Sequence, residues 1–154
     1  ARLASSFAEL GSLIADKLGA IVPIDRMNIG LIDMDDYVFT DAFVTGRNVP
    51  NRSTGHRRTL SDTVVEAGIK KGGGIVIGDE TPIALAKRFP RLQSTLDTGI
   101  RSMMAVALKA KGEVVAALVL ASARPSAYTA EDLEMLRGIV VAIVERIVAL
   151  REAS

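Results

Sequence analysis

The residues best suited to binding chemistry lie in a basic segment between Ala42 and Ser61. This segment contains no acidic residue, and its basic residues are Arg47, Arg52, His56, Arg57 and Arg58. A guanidinium group presents its N–H donors in a fork that matches two oxygens of a carboxylate or phosphate. The segment therefore predicts an anion-binding loop; the alternative is a solvated loop whose arginines pair with acids elsewhere. We expect His56 to be solvated rather than to act as a proton switch.

The composition excludes most catalytic and metal chemistry. The 154 residues contain no cysteine and one histidine, which excludes thiolate nucleophiles, thiolate metal sites and multi-histidine metal sites. The glycines at 72–74 are not followed by the Gly-Lys-Ser/Thr of a phosphate-binding loop, and no Ser/His/Asp set is readable. We therefore expect no enzymatic activity from this chain.

Charge and hydropathy bear on partners and location. The net charge is +1, and the four phenylalanines and two tyrosines do not cluster as a base-stacking platform would require. The longest apolar run, 114–121, is far shorter than the roughly 20 residues that cross a bilayer. With no cysteine and no targeting segment, the sequence predicts a cytoplasmic domain that contacts neither nucleic acid nor membrane.

The elements that must position the basic residues can be read from apolar spacing and turn residues. The predicted helices are 3–21, 61–67, a helix from Pro82 to Pro90, a helical stretch at 91–97, and a last helix after Thr129. The predicted strands are 25–33, 37–44, 74–79 and the two arms of a hairpin within 99–122, while 45–59 is a loop. Ser61 or Thr59 is expected to cap the second helix, with Gly68 ending it. Thr129 and Asp132 predict a capping box for the last helix.

The hairpin arms are apolar at successive positions, 103–108 and 114–121. A strand with this pattern is buried on both faces, so both arms belong in the centre of a sheet. The sequence therefore predicts an α+β fold with a central antiparallel sheet of five to six strands. The terminal helices would cover one face, and the short helices and loop of 45–98 the other. Small residues such as Gly30, Ala105 and Ala117 allow either close packing or a cavity beneath that segment.

Residues 99–147, GIRSMMAVALKAKGEVVAALVLASARPSAYTAEDLEMLRGIVVAIVERI, resemble the second half of a GAF domain. The matching positions are Gly99, Ser102, Gly112, Pro125, Tyr128, Thr129 and Asp132. DRMNIGLID (25–33) and IVIGD (75–79) resemble the first half. The resemblance implies that residues 1–154 form a single GAF domain with a GAF/PAS-like fold. Because the chain begins and ends inside predicted helices, we expect it to be a piece of a longer signalling protein.

Several family features are missing from this chain. GAF domains that carry a bilin attach it through cysteine, and those that reduce free methionine sulfoxide need cysteines, so we expect no covalent cofactor and no such activity. The Asn-Lys-x-Phe-x-Asp-Glu signature of members that bind cyclic nucleotides is also absent, which weakens that assignment. Ala107 and Ala117 stand where the family often has proline and glycine, and both suit buried strands.

The resemblance implies a small-molecule-sensing or regulatory module of a histidine kinase, cyclase or transcriptional regulator. Ligand state would pass through the terminal helices to an adjacent output domain; the alternative is a ligand-free structural dimerisation module. The ligand is an unidentified small molecule, if there is one. The predicted ligand contacts are Asn28, Arg57, Arg58, Arg101, Ser102 and Met104, although a satisfied buried amide, a surface arginine and core-filling methionines are the alternatives for Asn28, Arg101 and the Met103–Met104 pair.

The last helix carries more apolar surface than one sheet face needs. Its first stripe is Leu133, Leu136, Val140, Ile143, Ile147 and Leu150, and a second is Met135, Ile139, Val144 and Val148. The extra breadth predicts a homodimer through the terminal helices, with both stripes absorbed in one monomer as the alternative. The predicted interface residues are Leu3, Phe7, Leu10, Val140, Ile143, Ile147 and Leu150.

Overall fold

The structure is a computed structural model that describes residues 6–153. Its elements, in chain order, are α1 (Phe7–Gly19), β1 (Arg26–Asp33), β2 (Val38–Gly46), β3 (Arg57–Thr59), α2 (Val64–Lys70), β4 (Gly74–Ile77), α3 (Pro82–Arg88), a 3-10 turn (Pro90–Leu92), α4 (Gln93–Leu96), β5 (Ser102–Ala110), β6 (Glu113–Ser122) and α5 (Ala130–Ala153). The predicted start of the first helix, with Leu3, lies outside the described residues.

The strands form one antiparallel sheet in the order β3-β2-β1-β6-β5-β4. This confirms the predicted fold class and the central position of the β5–β6 hairpin. The prediction of a loop over 45–59 was wrong at both ends, because β2 continues through Gly46, and Arg57–Thr59 pairs with Val38–Thr40 to form the edge strand β3. Three residues of pairing leave little alternating pattern to detect in a sequence.

Each face of the sheet packs on its own apolar core. Met104, Val106 and Leu108 of β5 belong to the core that α1 and α5 cover, whereas Ala105 belongs to the core beneath the segment from β3 to α4. The predicted covering of both faces of residues 103–108 is therefore confirmed. Within the described part of the chain, no helix is long and apolar enough to cross a membrane.

The β5–β6 hairpin closes through a two-residue turn. Lys111 (φ 53°) and Gly112 (φ 82°) both have left-handed backbone, as a type I′ turn requires. Ala110 pairs with Glu113 and Lys109 with Val114 on either side of this turn. A β-bulge at Val115 then shifts the register, since Leu108 pairs with Ala116, so the turn and the bulge together set which hairpin side chains face the terminal helices and which face the middle segment.

Helix boundaries follow from their caps. At α5, the Asp132 amide donates to Thr129 Oγ1 (3.1 Å) and the Thr129 amide donates to Asp132 Oδ2 (2.9 Å), which confirms the capping box. At α2 the predicted caps, Ser61 and Thr59, were wrong. Asp62 has a left-handed backbone (φ 62°), so helical geometry begins only after it, and Thr63 is the cap. Gly68 does not end this helix; it lies inside it, where an added Cβ would lie 3.3 Å from Ile75.

Candidate ligand-binding site

A cavity of about 70 Å³ lies between the sheet and the middle segment of the chain, on the face opposite the terminal helices. It is lined by Arg26, Asn28, Phe39, Arg52, Arg58, Asp62, Thr63, Val64, Val65, Phe89, Arg91, Leu92, Thr95, Met103, Val119 and Ala121. Alternation along β1 turns Asn28 to this side while Met27 and Ile29 join the terminal-helix core. Of the small residues of the sheet, Ala121 lines this cavity, whereas Gly30, Ala105 and Ala117 do not.

Elsewhere on this face the small residues serve close packing. A Cβ added at Gly30 would lie 1.9 Å from the ring of Phe39, so the ring occupies the space above the glycine. Phe39 is buried there and forms one wall of the cavity. The glycine in DRMNIGLID therefore lets an aromatic side chain lie flat on β1 and limits the size of the cavity.

A buried ion pair adjoins the cavity. The Asp41 carboxylate accepts from Arg58 Nη1 (2.5 Å) and from Asn28 Nδ2 (3.1 Å), and Asp41 is only 1 % exposed. The guanidinium carbon of Arg58 also lies 4.6 Å from the centre of the Phe39 ring, a cation–π distance. The charge of Arg58 is therefore matched by an acid, and the Asn28 amide is held in one orientation.

A β-bulge is what turns Asp41 toward the cavity side. Ile29 pairs with Phe43 but Gly30 pairs with Asp41, so Ala42 is an extra residue in β2. Phe43 packs on the terminal-helix core, whereas Asp41 faces the other side. Without the bulge, residues 41 and 43 would share a face, which is why the sequence pattern gave no sign of an inward-facing acid.

Two further arginines have neutral partners. Arg26, 6 % exposed, donates to the carbonyls of Arg47 (2.9 Å) and Arg52 (2.6 Å). Arg52 in turn donates to the carbonyls of Asn51 (3.2 Å) and Arg91 (3.3 Å). These bonds hold the loop before β3 over the end of β1, and within the described part of the chain the two guanidinium groups have no carboxylate in direct contact.

Burial and mutual repulsion act on the same two groups. Burial lowers the pKa of Arg26 below its ordinary value, with Asp41 opposing and Arg58 adding to the effect. Burial also lowers the pKa of Arg52, and repulsion from Arg58, Arg91 and Arg26 adds to it while Asp41 opposes. Both remain cationic at neutral pH because the guanidinium pKa is so high. The cavity is therefore a region of unbalanced positive charge.

Three of the predicted ligand contacts lie in β1 and β3. Asn28 and Arg58 line the cavity, and both are within hydrogen-bond distance of Asp41. Arg57, one residue before Arg58, is exposed and lies on a different surface, near Thr40 and Ile32. His56 is exposed, as expected, with its ring against the Ser53 backbone. The alternative for the basic loop, pairing with an acid elsewhere, therefore holds for Arg58.

The other three predicted contacts do not line the cavity. Arg101 donates to the carbonyls of Leu96 (2.9 Å) and Ile100 (2.8 Å), which ties the entry of β5 to α4. Ser102 donates to the Arg124 carbonyl (2.5 Å) and accepts from the Ala127 amide (3.3 Å), which holds the segment before α5. Met104 is buried on the terminal-helix side, whereas its neighbour Met103 lines the cavity, because adjacent strand residues face opposite ways.

Sequence reasoning left Arg52, Phe39, Phe89 and Arg91 out of the predicted contacts. Arg52 is an arginine of the basic loop, so its residue type and its place in the sequence could have identified it as a ligand contact. Phe39 could have been identified from the alternation of side chains along β2. Phe89 and Arg91, which follow α3, reach the cavity only through tertiary packing. Among residues 6–153 no group of three or more His, Asp or Glu side chains could hold a metal ion.

The terminal helices absorb much of their apolar surface inside the monomer. Leu10, Val140 and Ile147 are buried in the core against the sheet, so their side chains are already packed within the monomer and offer little surface to a second subunit. Phe7, Ile143 and Leu150 are partly buried against the same core, and Leu3 lies outside the described residues. The exposed apolar residues here are Leu13 and Ile21 near α1 and Val141 on α5, the last 72 % exposed.

The family model described as GAF domain matches residues 7–147, and the chain therefore belongs to the GAF domain family. No curated protein sequence matches the chain. Among solved structures, the GAF domain of a two-component sensor histidine kinase from Bacillus halodurans is 16 % identical with a TM-score of 0.75, over 97 % of this chain and 99 % of that one.

Two further structures are similar to this chain. A domain of a putative two-component sensor histidine kinase from Sinorhizobium meliloti is 16 % identical, with a TM-score of 0.68 and 97 % of each chain covered. The free methionine-R-sulfoxide reductase of Neisseria meningitidis, solved with its substrate, is 19 % identical with a TM-score of 0.69, over 96 % of this chain and 78 % of that one. At these identities the likeness concerns the fold, which confirms the GAF-like architecture.

Proposed function

We propose that this GAF domain is a small-molecule-sensing regulatory module of a signal-transduction protein, with its ligand bound in the cavity between the sheet and the middle segment. The observation that carries this proposal is the cavity itself, which combines apolar walls with Arg26 and Arg52, two cationic side chains that have no carboxylate partner among residues 6–153. Convergent polar groups in an otherwise apolar concavity are typical of small-molecule sites. The proposal includes the cytoplasmic location predicted from the sequence.

The central strands supply a route from the cavity to the terminal helices. Val119 lines the cavity, and its neighbours Leu118 and Leu120 belong to the core that α1 and α5 cover. Asn28 and its neighbours on β1 alternate in the same way. A ligand that prefers one position of these strands would shift the population of terminal-helix arrangements. In this proposal the helices act on an adjacent output domain, within a homodimer.

The composition supports a regulatory rather than a catalytic role. The Neisseria protein is a reductase, but this chain contains no cysteine to take part in such a reaction, and its single histidine is exposed on a loop. The proposal therefore assigns binding to the cavity and no bond-making step.

The second candidate, a ligand-free structural dimerisation module, is favoured by one observation. The cavity volume, about 70 Å³, is well below the roughly 300–1,000 Å³ of sites for drug-sized ligands. The Arg58–Asp41 pair also satisfies part of the polar lining internally. Under this alternative the cavity would hold only water.

A cavity-filling variant separates the two candidates. Ala121→Leu adds bulk inside the cavity, whereas Ala142→Leu adds the same atoms at an exposed position of α5. Ligand-observed NMR with a panel of small metabolites should find binding to the wild type and to Ala142→Leu, and none to Ala121→Leu. Two results would favour the structural module. One is binding that survives Ala121→Leu, and the other is a wild-type protein that binds no compound of the panel but still dimerises.

The relay is measured on the same protein. Because the chain has no cysteine, Asp16→Cys on α1 and Glu145→Cys on α5 give unique spin-labelling positions, both exposed. Dilution with unlabelled protein restricts the measured distance to one subunit. A compound that binds the cavity should change the distance distribution between the two labels, and an unchanged distribution would contradict the relay.

A further inference from the structure

We infer that the cavity binds a small carboxylate with a short hydrocarbon part, a ligand of about five to seven non-hydrogen atoms. This inference rests on the proposed sensing function and narrows it to one ligand class. It follows from three properties of the cavity taken together: its charge, its volume and the chemical nature of its walls.

The charge of the site favours an anion. Arg26, Arg52, Arg58 and Arg91 line the cavity, and the nearby acids are Asp41 and Asp62. Four guanidinium groups against two carboxylates leave an excess of two positive charges. Asp41 is engaged by Arg58 and Asn28, so it does not compensate the others directly. Arg26 is buried, Arg52 and Arg58 are half-buried, and Arg91 is exposed. A buried charge without a counter-charge is unfavourable, so a bound anion would relieve that cost at Arg26 and part of it at Arg52.

The volume limits the ligand. A cavity needs about 10–15 Å³ to hold one water-sized group, so about 70 Å³ holds about five to seven such groups. The cavity is partly open to solvent, so a ligand as large as a nucleotide would place only a part of itself inside. A short carboxylic acid fits, since its carboxylate and a chain of a few carbons use the whole space.

The walls distinguish a carboxylate from a phosphate or sulfate. Val119, Leu92 and Met103 lie on the lining together with the Phe39 ring, and none of these side chains offers an N–H or O–H donor. A tetrahedral oxyanion directs oxygens outward on all sides and would leave some of them against these apolar walls. A carboxylate places its two oxygens on one end, toward Arg52, and a hydrocarbon at the other end.

The test uses calorimetric titration of the purified protein with butyrate, butyramide and inorganic phosphate. Butyramide has the shape of butyrate without its charge. Butyrate should bind with a dissociation constant between about 10 µM and 1 mM, because so small a ligand makes few contacts. Butyramide and phosphate should each bind at least about tenfold more weakly.

Matched arginine variants locate the binding. Arg52→Gln, in the cavity, should weaken butyrate binding at least about tenfold. Arg57→Gln makes the same change of charge on β3 outside the cavity lining and should stay within about twofold. Arg91→Gln serves as a second cavity variant if Arg52→Gln melts much below the wild type, because the Arg91 carbonyl that accepts from Arg52 is retained.

The outcomes separate this inference from the function on which it rests. Equal binding of butyrate and butyramide, tighter binding of phosphate, or equal effects of Arg52→Gln and Arg57→Gln would each overturn the carboxylate assignment. A neutral or larger compound that binds the cavity in the metabolite panel would overturn it too, yet would leave the sensing function standing. If neither the calorimetric titration nor the metabolite panel detects a ligand in the cavity, both the carboxylate assignment and the sensing function are overturned.

Discussion

The carboxylate of Asp41 lies 2.5 Å from the guanidinium of Arg58, although the Asp41 side chain is fully buried. This ion pair joins β2 to the edge strand β3, whose backbone pairing extends over three residues. The second bond to Asp41, from Asn28, extends the connection to β1. One acid thus holds three neighbouring strands together and sets the orientation of two cavity residues.

Asp41→Asn should lower the free energy of unfolding by about 2–4 kcal/mol, because it leaves the Arg58 charge without its partner. This loss of unfolding free energy is smaller than the one expected for a fully buried ion pair, because the Arg58 side chain is 18 % exposed. Urea denaturation measures this change in the free energy of unfolding. Glu80→Gln breaks the exposed Arg88–Glu80 pair (2.7 Å) and should cost less than about 1 kcal/mol. Equal losses in the two variants would show that the Asp41 pair contributes no more than a surface pair.

The sequence predicted the faces of β1 but not those of β5. In DRMNIGLID the alternation of apolar and polar residues puts Asn28 opposite Met27 and Ile29, and the structure agrees. Met103 and Met104 lie in an unbroken apolar run, where alternation carries no signal and either residue could face the cavity. The pairing of β5 with β6 decides between them, and its register depends on the hairpin turn together with a bulge at Val115 that an apolar run does not reveal.

Long-range polar contacts were beyond sequence reasoning for a different reason. The partners of Arg26 are backbone carbonyls of residues 47 and 52, and a carbonyl has no side-chain type to recognise. Asp41 faces inward only because Ala42 bulges out of β2. The basic loop could be predicted to matter from composition, but which of its arginines enter the cavity depends on these two backbone features.

Gly30→Ala should destabilise the protein by at least about 2 kcal/mol, because the new Cβ would lie 1.9 Å from the Phe39 ring and would displace it. Thermal and urea unfolding measure the change. Gly19→Ala, at the end of α1 with nothing within 4 Å of its added Cβ, should be neutral or stabilising by up to about 1 kcal/mol. Adding Phe39→Leu to Gly30→Ala should recover part of the loss, and no recovery would contradict a clash with the ring.

The Tyr37 hydroxyl donates a hydrogen bond to Glu66, and this bond couples stability to pH. The bond lowers the pKa of Glu66 below its ordinary 4.5, with the Asp62 amide adding to the effect, and it raises the pKa of Tyr37 to about 12. A lowered carboxyl pKa stabilises the folded state above the ordinary value, and this stabilisation is lost as pH falls through the lowered pKa. A raised tyrosine pKa stabilises below pH 10, and this is lost as pH rises from 10 toward 12.

Tyr37→Phe should therefore cost about 1–2 kcal/mol at pH 7, and the difference from the wild type should shrink below pH 4.5. Denaturation at a series of pH values measures this difference. Tyr128→Phe is the control, because the Tyr128 hydroxyl donates to the Pro23 carbonyl (2.6 Å), an acceptor that does not titrate. Its cost should stay constant between pH 3 and 7. A constant cost for Tyr37→Phe would show that Glu66 does not carry the pH dependence.

If the proposed homodimer forms through α5, its contact must use the side of the helix that the monomer core leaves open. Val141 is a large apolar residue exposed there, with Val144 and Val148 half-buried on neighbouring turns. Val141→Glu should convert dimer to monomer in native mass spectrometry, because it puts a charge into an apolar contact. Ile83→Glu, a similar change at a 73 % exposed position of α3, should leave the dimer intact. A dimer that survives Val141→Glu would exclude this face.

Arg26→Lys tests whether the loop that carries Arg52 is held by the two hydrogen bonds that the Arg26 guanidinium donates to it. The Arg26 guanidinium reaches two carbonyls, those of residues 47 and 52, in directions that a single ammonium group cannot both serve. The positive charge is kept, so any effect reports geometry rather than charge. We expect a loss of about 1–2 kcal/mol in the free energy of unfolding, since a half-buried carbonyl is left without its donor.

The loop itself should also become more mobile in Arg26→Lys. Amide hydrogen exchange should quicken at Arg47 and Arg52, whose amides donate to the carbonyls of Asp25 (2.7 Å) and Val49 (3.1 Å), while amides of β5 and β6 stay protected. Arg124→Lys, at an exposed position, should change neither stability nor exchange. Because Arg52 lies on this loop and lines the cavity, Arg26→Lys should also weaken butyrate binding. Unchanged exchange in the loop would mean that packing, not the Arg26 fork, keeps Arg52 in place.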